Sequence, residues 1–220
     1  MLFRSYEDDK CNGVQSVSAV NKLISSDKVV AILGGVCSSS LLPVAPIVEQ
    51  AKVPMIGYCT TAPAITNAGD YVFRDVPSDL FQGKFSAGYA YNTLAKRKAG
   101  IIFIKDDWGV GVSSAFADEF KKLGGSVVAQ EGYDPTATDL RTQLTKVKSA
   151  GADILYFAGF PDGTIIGLRQ AGAMGLNIPK LGADAWDDTR TWKELGSAGD
   201  GAMYTVVSSN SSDEIGRAHV

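Results

Sequence analysis

Two short polar clusters carry the chemistry available to this chain. Gly34-Gly35-Val36-Cys37-Ser38-Ser39-Ser40 follows the apolar run Val29-Val30-Ala31-Ile32-Leu33. Cys59-Thr60-Thr61-Ala62-Pro63 follows Pro54-Met55-Ile56. In open α/β sheets, ligands bind beyond the carboxyl ends of strands, where backbone N–H groups and hydroxyls converge at helix N-termini. Two hydroxyl-rich strand ends on neighbouring strands make a cradle for a carboxylate. No strong acid, base or nucleophile set accompanies them. The pattern points to holding a small molecule, not to transforming it.

What is missing narrows the chemistry further. The single histidine, His219, lies near the end of the chain, so neither a His general base nor a triad is expected. Three cysteines, Cys11, Cys37 and Cys59, include no C-x-x-C pair, which argues against a zinc site or a thioredoxin-type motif. Cys59 without a histidine is a poor nucleophile candidate. Adjacent Asp106-Asp107 leave a strand pointing in different directions and read as a solvated turn. Gly109-Val110-Gly111 lacks the third glycine of a dinucleotide loop and a ribose acid at the right offset, so it reads as a helix entry. No cofactor and no metal are implied.

The elements that position these residues follow from hydrophobic patterning. Strands are expected over 2–6, 29–33, 54–58, 71–74, 100–105, 126–130, 153–158, 180–182 and 202–206. Helical patterns cover 14–25, 41–50, 79–94, 110–123, 139–150, 163–174 and 189–196. Asp79 can cap a helix, as can Thr138-Asp139, while Gly124-Gly125 and Gly151 stand just past helix ends. Strands alternating with helices imply parallel sheets covered on both faces. The run Gly100-Ile101-Ile102-Phe103-Ile104 is nearly all apolar, as a central parallel strand should be. The basic run Lys96-Arg97-Lys98 before it reads as a solvated connection and marks the boundary between two lobes.

Bulk properties are those of a globular protein of one large or two modest domains: 220 residues, 45% hydrophobic and 20% charged. A net charge of −3 gives no case for nucleic acid or an anionic membrane surface. No apolar run approaches the roughly 20 residues that span a bilayer. The first six residues lack the apolar core of a signal peptide. The last seven, Glu214-Ile215-Gly216-Arg217-Ala218-His219-Val220, resemble the translation of a common short-read sequencing adapter. They are expected not to be natural protein, with residues 207–220 a non-native or disordered tail.

Several motifs in one order resemble a known family. They are Asp8-Asp9-Lys10-Cys11-Asn12, Gly35-Val36-Cys37-Ser38-Ser39, Thr61-Ala62-Pro63-Ala64-Ile65-Thr66, and Arg74 with Pro77-Ser78-Asp79 and Gln82-Gly83. Asp107-Trp108-Gly109-Val110-Gly111, Asp139-Leu140-Arg141, Ala158-Gly159-Phe160 and Gly182-Ala183-Asp184-Ala185-Trp186-Asp187 follow. Together they resemble the periplasmic substrate-binding proteins of branched-chain amino acid ABC transporters, of the type I periplasmic-binding-protein fold.

The resemblance implies an α/β protein of two Rossmann-like, doubly wound lobes that close on ligand like a clamshell. Residues 1–93 would be a partial first lobe, lacking the family's opening strand and its C-terminal return. Residues 94–206 would be a nearly complete second lobe. The first half is accordingly expected to fold poorly, since an unpaired inner strand edge is costly.

By the same resemblance Ser38 and Thr61 hold the ligand's carboxylate, with backbone groups of Cys59 and Thr60 facing the same molecule. Ser38 reads equally as a helix N-cap, and Thr61 as a turn hydroxyl before Pro63. Asp184 matches the family's acid for the ligand's ammonium, while Asp187 and Asp188 are the better helix caps. Trp108 and Phe160 line the interlobe cleft. Phe160 stands where many relatives carry a hydroxyl-bearing aromatic, and Tyr58 where a small residue or proline is usual. Cys11 and Cys37 occupy the positions of a family disulfide, which fits an oxidising periplasm. Cys59 is then left over and expected to be buried beside the cleft.

The resemblance thus implies a monomeric extracytoplasmic receptor, periplasmic or membrane-anchored. It would deliver a small amino acid or related acid to an ABC transporter permease. A ligand-sensing domain with the same fold and another output is the alternative. A nucleotide-dependent enzyme lacks its phosphate-loop glycines and proton-transfer group.

Overall fold

The computed structural model describes residues 4–206. They form two compact units, one ending at Asp79 and the other beginning at Leu80. The division falls earlier than the basic run at Lys96, because helix Asp79–Gly88, apart from its first residue, and the π-turn after it, Tyr89–Thr93, belong to the second unit.

The first unit opens with α1 (Gly13–Ser25), whose N-cap Asn12 accepts hydrogen bonds from Val14 N and Gln15 N. A three-stranded parallel sheet follows in the order β1 (Ile32–Leu33), β2 (Met55–Gly57), β3 (Val72–Arg74). Between β1 and β2 runs a continuous helical stretch. It comprises α2 (Ser38–Leu41), a 3-10 turn (Leu42–Val44) and α3 (Ala45–Ala51). Strand alternation sorts the sheet's faces. Ile32, Met55 and Val72 are in register and buried in a core with Val20, Leu41, Val44 and Val48. Their neighbours Leu33, Ile56 and Phe73 are also in register, and they are exposed, Leu33 to 73%. The expected strand over 2–6 is not observed in its described part, since residues 4–6 lie outside any strand. No ladder partner holds them there, and apolar content alone does not make a strand.

The second unit holds α4 (Asp79–Gly88) apart from its first residue, then β4 (Lys98–Ile104), α5 (Asp107–Lys122), β5 (Ser126–Tyr133) and α6 (Arg141–Ser149). β6 (Ile154–Ala158), α7 (Pro161–Ala173), β7 (Lys180–Gly182), α8 (Thr189–Leu195) and β8 (Met203–Tyr204) complete it. The five strands are all parallel in the order β5-β4-β6-β7-β8. β4 and β6 pair at its centre, and Ile101, Ile102, Ile154, Leu155 and Phe157 are fully buried. The doubly wound α/β reading is therefore correct. Asp153 fixes the start of β4 by accepting hydrogen bonds from Arg97 N and Lys98 N, each at 2.9 Å.

Residues 207–220, including the adapter-like tail and His219, lie outside the described residues. Among the described residues no helix is long and apolar enough to cross a membrane, and no cluster of His, Cys, Asp and Glu could hold a metal ion.

Candidate ligand-binding site

In the first unit the two hydroxyl clusters meet. Ser38 is the first residue of α2, not its cap; Cys37 takes the cap position without using its side chain. Freed from capping, the buried Ser38 Oγ accepts a hydrogen bond from Ala62 N at 3.2 Å. Its own proton remains available to a second acceptor.

The Thr60 and Thr61 hydroxyls are buried and have no hydrogen-bond partner. Gly57 makes this possible. A Cβ at position 57 would stand 2.0 Å from Thr60 Oγ1 and 2.6 Å from Leu41 Cδ1. Only glycine lets the chain fold the Thr60 hydroxyl back against the end of β2. Cys59 stands outside the disulfide as expected, but it is exposed and not buried, because Thr60 and Thr61 take the inward positions of this turn.

The loop after Thr61 is fastened from β3. Arg74 Nη1 donates to Ala62 O at 2.9 Å and to Thr61 O at 3.4 Å, and Nη2 donates to Thr66 Oγ1 at 2.5 Å. Asp79 N donates to Thr61 O at 2.8 Å. Burial pulls the Arg74 pKa down and the charge of Asp79 opposes it. Asp79 is fully buried as the first residue of α4. The sequence showed Arg74 only as part of a motif. An arginine ending a short strand opposite two hydroxyl turns was the available signal for its role.

Cys11 and Cys37 form a disulfide, with Cα atoms 5.3 Å apart. It joins the segment before α1 to the residue that opens α2.

The second unit gathers the remaining candidates at the carboxyl ends of β4, β6 and β7. Asp106 caps α5 by accepting a hydrogen bond from Gly109 N at 2.7 Å. A Cβ on Gly109 would meet Ile104 O at 2.2 Å, so this glycine serves close packing of helix on strand. The tight entry sets Trp108, which is buried, against Phe160, with ring centroids 4.8 Å apart and planes at 16°. Phe160 holds the N-cap position of α7, whose first turn carries Pro161.

Asp184 begins the 3-10 turn after β7. Asp188 caps α8 by accepting from Thr191 N at 2.7 Å, and Asp187 accepts from Tyr204 Oη at 3.0 Å. Asp184 is left with neither task. Its Oδ1 is buried and unpartnered. Burial raises its pKa above 3.8, and contacts from Gln82, the backbone of Ala185 and Trp108 act the other way. No cation is among the groups that act on it. Gln82 is a contact that sequence reasoning assigned no role.

A separate cavity of about 550 Å³ is lined by Asp187, Asp188, Trp192, Asp200 and Tyr204 among others, and by none of the candidates above. Burial, with Asp187 second, pushes the Tyr204 phenol up to about 12.

Residues 5–219 match the family model described as periplasmic binding protein. The chain belongs to the periplasmic binding protein family. That is the family the sequence motifs resemble. It is 31% identical to an amino acid binding protein of Pseudomonas aeruginosa, over 90% of this chain and 52% of that protein. It is 29% identical to the leucine-, isoleucine-, valine-, threonine-, and alanine-binding protein of the same organism, over 90% of this chain and 53% of that protein. A crystal structure of a leucine binding protein from Thermotoga maritima superposes with a TM-score of 0.86 at 29% identity, covering 90% of this chain and 57% of that one. This periplasmic binding protein spans about half the length of the curated relatives it matches. The family consists of binding proteins, in keeping with a site that holds no catalytic set.

Proposed function

We propose that this protein captures a small amino acid, branched-chain or related, in the periplasm and delivers it to an ABC transporter permease. The reading assigns the ligand's carboxylate to Ser38, Thr60 and Thr61 of the first unit, with backbone groups of Cys59 nearby. It assigns the ammonium to Asp184 of the second unit, and the ligand's side chain to the faces of Trp108 and Phe160.

One observation carries it: the two units hold opposite, unfilled poles. The first has buried hydroxyl donors with no acceptor, Thr60 Oγ1 and Thr61 Oγ1; the second has a buried carboxylate oxygen with no donor. Buried polar atoms without partners cost free energy, and a zwitterion supplies both complements. The names of the relatives, which bind amino acids, support the same ligand class.

The test is a calorimetric screen of L-leucine, L-valine, L-glutamate, a short amide and benzoate. The reading expects an L-amino acid to bind. It further expects Asp184→Ala to weaken that binding by more than tenfold, because a charge pair broken on one side costs about 2–5 kcal/mol. Binding of benzoate alone, or an unchanged affinity in Asp184→Ala, would reject the ammonium assignment.

A further inference from the structure

Asp184 Oδ1 is not alone in lacking a donor. Gln82 Oε1 is also buried and accepts no hydrogen bond, and the Gln82 side chain lies against the Asp184 carboxylate. A carboxylate only accepts, so Gln82 must turn its NH2 toward Asp184. The amide oxygen is then a second acceptor beside the first.

The position of Gln82 is set by close packing. The next residue, Gly83, lies so near α5 that a Cβ there would meet Ala115 Cβ at 2.5 Å and Phe116 N at 2.7 Å. This contact presses α4 onto α5 one residue past Gln82; Trp108, at the start of α5, also acts on Asp184. Two orphan acceptors on touching side chains, with an aromatic stack beside them, call for a group rich in donors. An ammonium has three and no acceptor.

We infer that Gln82 Oε1 is a second acceptor for the ligand's ammonium, beside Asp184, and that Gln82 selects amino acids over the corresponding deaminated acids. This rests on the assignment of Asp184 made under Proposed function. A carbonyl oxygen attracts an ammonium without adding charge. A carboxylate in its place would set two acids side by side and drive one to keep its proton.

The experiment compares each L-amino acid of the screen with its own 2-oxo acid in wild type, Gln82→Met and Gln82→Ala. Methionine matches glutamine in length and has no strong acceptor; alanine removes the side chain and covers the case in which methionine misfolds. Near-ultraviolet circular dichroism reports whether each variant keeps its native packing. Wild type is expected to prefer an L-amino acid to its 2-oxo acid. A folded variant should lose about 10- to 100-fold in amino-acid affinity, as expected for a lost hydrogen bond to a charge. Its 2-oxo acid affinity should stay, so the preference collapses. A packing role alone would weaken both ligands equally, and that result overturns the inference. Wild-type preference with no change in a variant also overturns it while leaving the proposed function standing. A wild type that prefers 2-oxo acids or binds no amino acid overturns both.

Discussion

Ser38 and Ala62, 24 residues apart, are joined by a buried hydrogen bond of 3.2 Å from the Ala62 N–H to the Ser38 hydroxyl. The bond ties the first hydroxyl cluster to the second and leaves the Ser38 proton available to another acceptor. Ser38→Ala would therefore do two things. It should destabilise the protein by about 1–3 kcal/mol, because Ala62 N is left buried without an acceptor. It should also weaken carboxylate binding about tenfold, the size expected for a hydrogen bond to a charge. Thermal melts read the first effect and calorimetry the second. An unchanged melting point would contradict the bond.

The disulfide gives a thiol count. Oxidised, native protein should yield one reactive thiol, Cys59, and should yield it without denaturant because that side chain is exposed. Cys11→Ser with Cys37→Ser should lower stability by about 2–4 kcal/mol, the typical worth of such a bridge. Three rapid thiols in oxidised protein would show that the bridge does not form.

Asp184 makes both stability and binding depend on pH. Burial raises its carboxyl above 3.8, so the folded protein holds this proton more tightly than the unfolded chain. The contribution to stability is full below the unfolded value and is lost as pH rises through the folded one. Binding runs in the opposite sense. An ammonium needs the carboxylate, so affinity should fall as pH drops through the raised value, and capture should release a proton in that window. Calorimetry in two buffers of different ionisation enthalpy reads the release directly. Identical heats in the two buffers would exclude it.

The stack of Trp108 on Phe160 should be measurable as coupling. A double-mutant cycle to alanine, followed by urea melts, is expected to give about 0.5–1.5 kcal/mol between the two rings. A coupling indistinguishable from zero would mean the rings are neighbours without attraction.

Much of this was legible in the sequence, for stated reasons. β4 announced itself because every residue from Gly100 to Ile104 is apolar or small, and the structure pairs it on both sides. The helix entry at Gly109-Val110-Gly111 was readable, and so was Asp188 as a cap; the solvated turn read at Asp106-Asp107 is instead the N-cap and first residue of α5, because Asp106 turns its carboxylate back onto Gly109 N. Other features depend on partners far along the chain. Gln130, Glu131 and Gly132 break the apolar run of β5, yet the ladder from β4 carries the strand through to Tyr133, opposite Ile104. The π-turn at Tyr89–Thr93 follows the same apolar rhythm as an ordinary helix, so no local signal separates them. Gln82 stands in the sequence only as part of a motif, because Asp184, which its side chain meets, lies about a hundred positions later. Ser38 looked like a cap because serines favour that role; the helix begins one residue earlier than its hydroxyl suggested.

The space that Gly57 leaves open is filled by the Thr60 hydroxyl, which ties the fate of position 57 to that of position 60. A side chain gained at 57 evicts the hydroxyl at 60, so position 57 cannot grow while Thr60 stays. An alignment of descendants from this chain should show a side chain at 57 only where Thr60 has also been replaced.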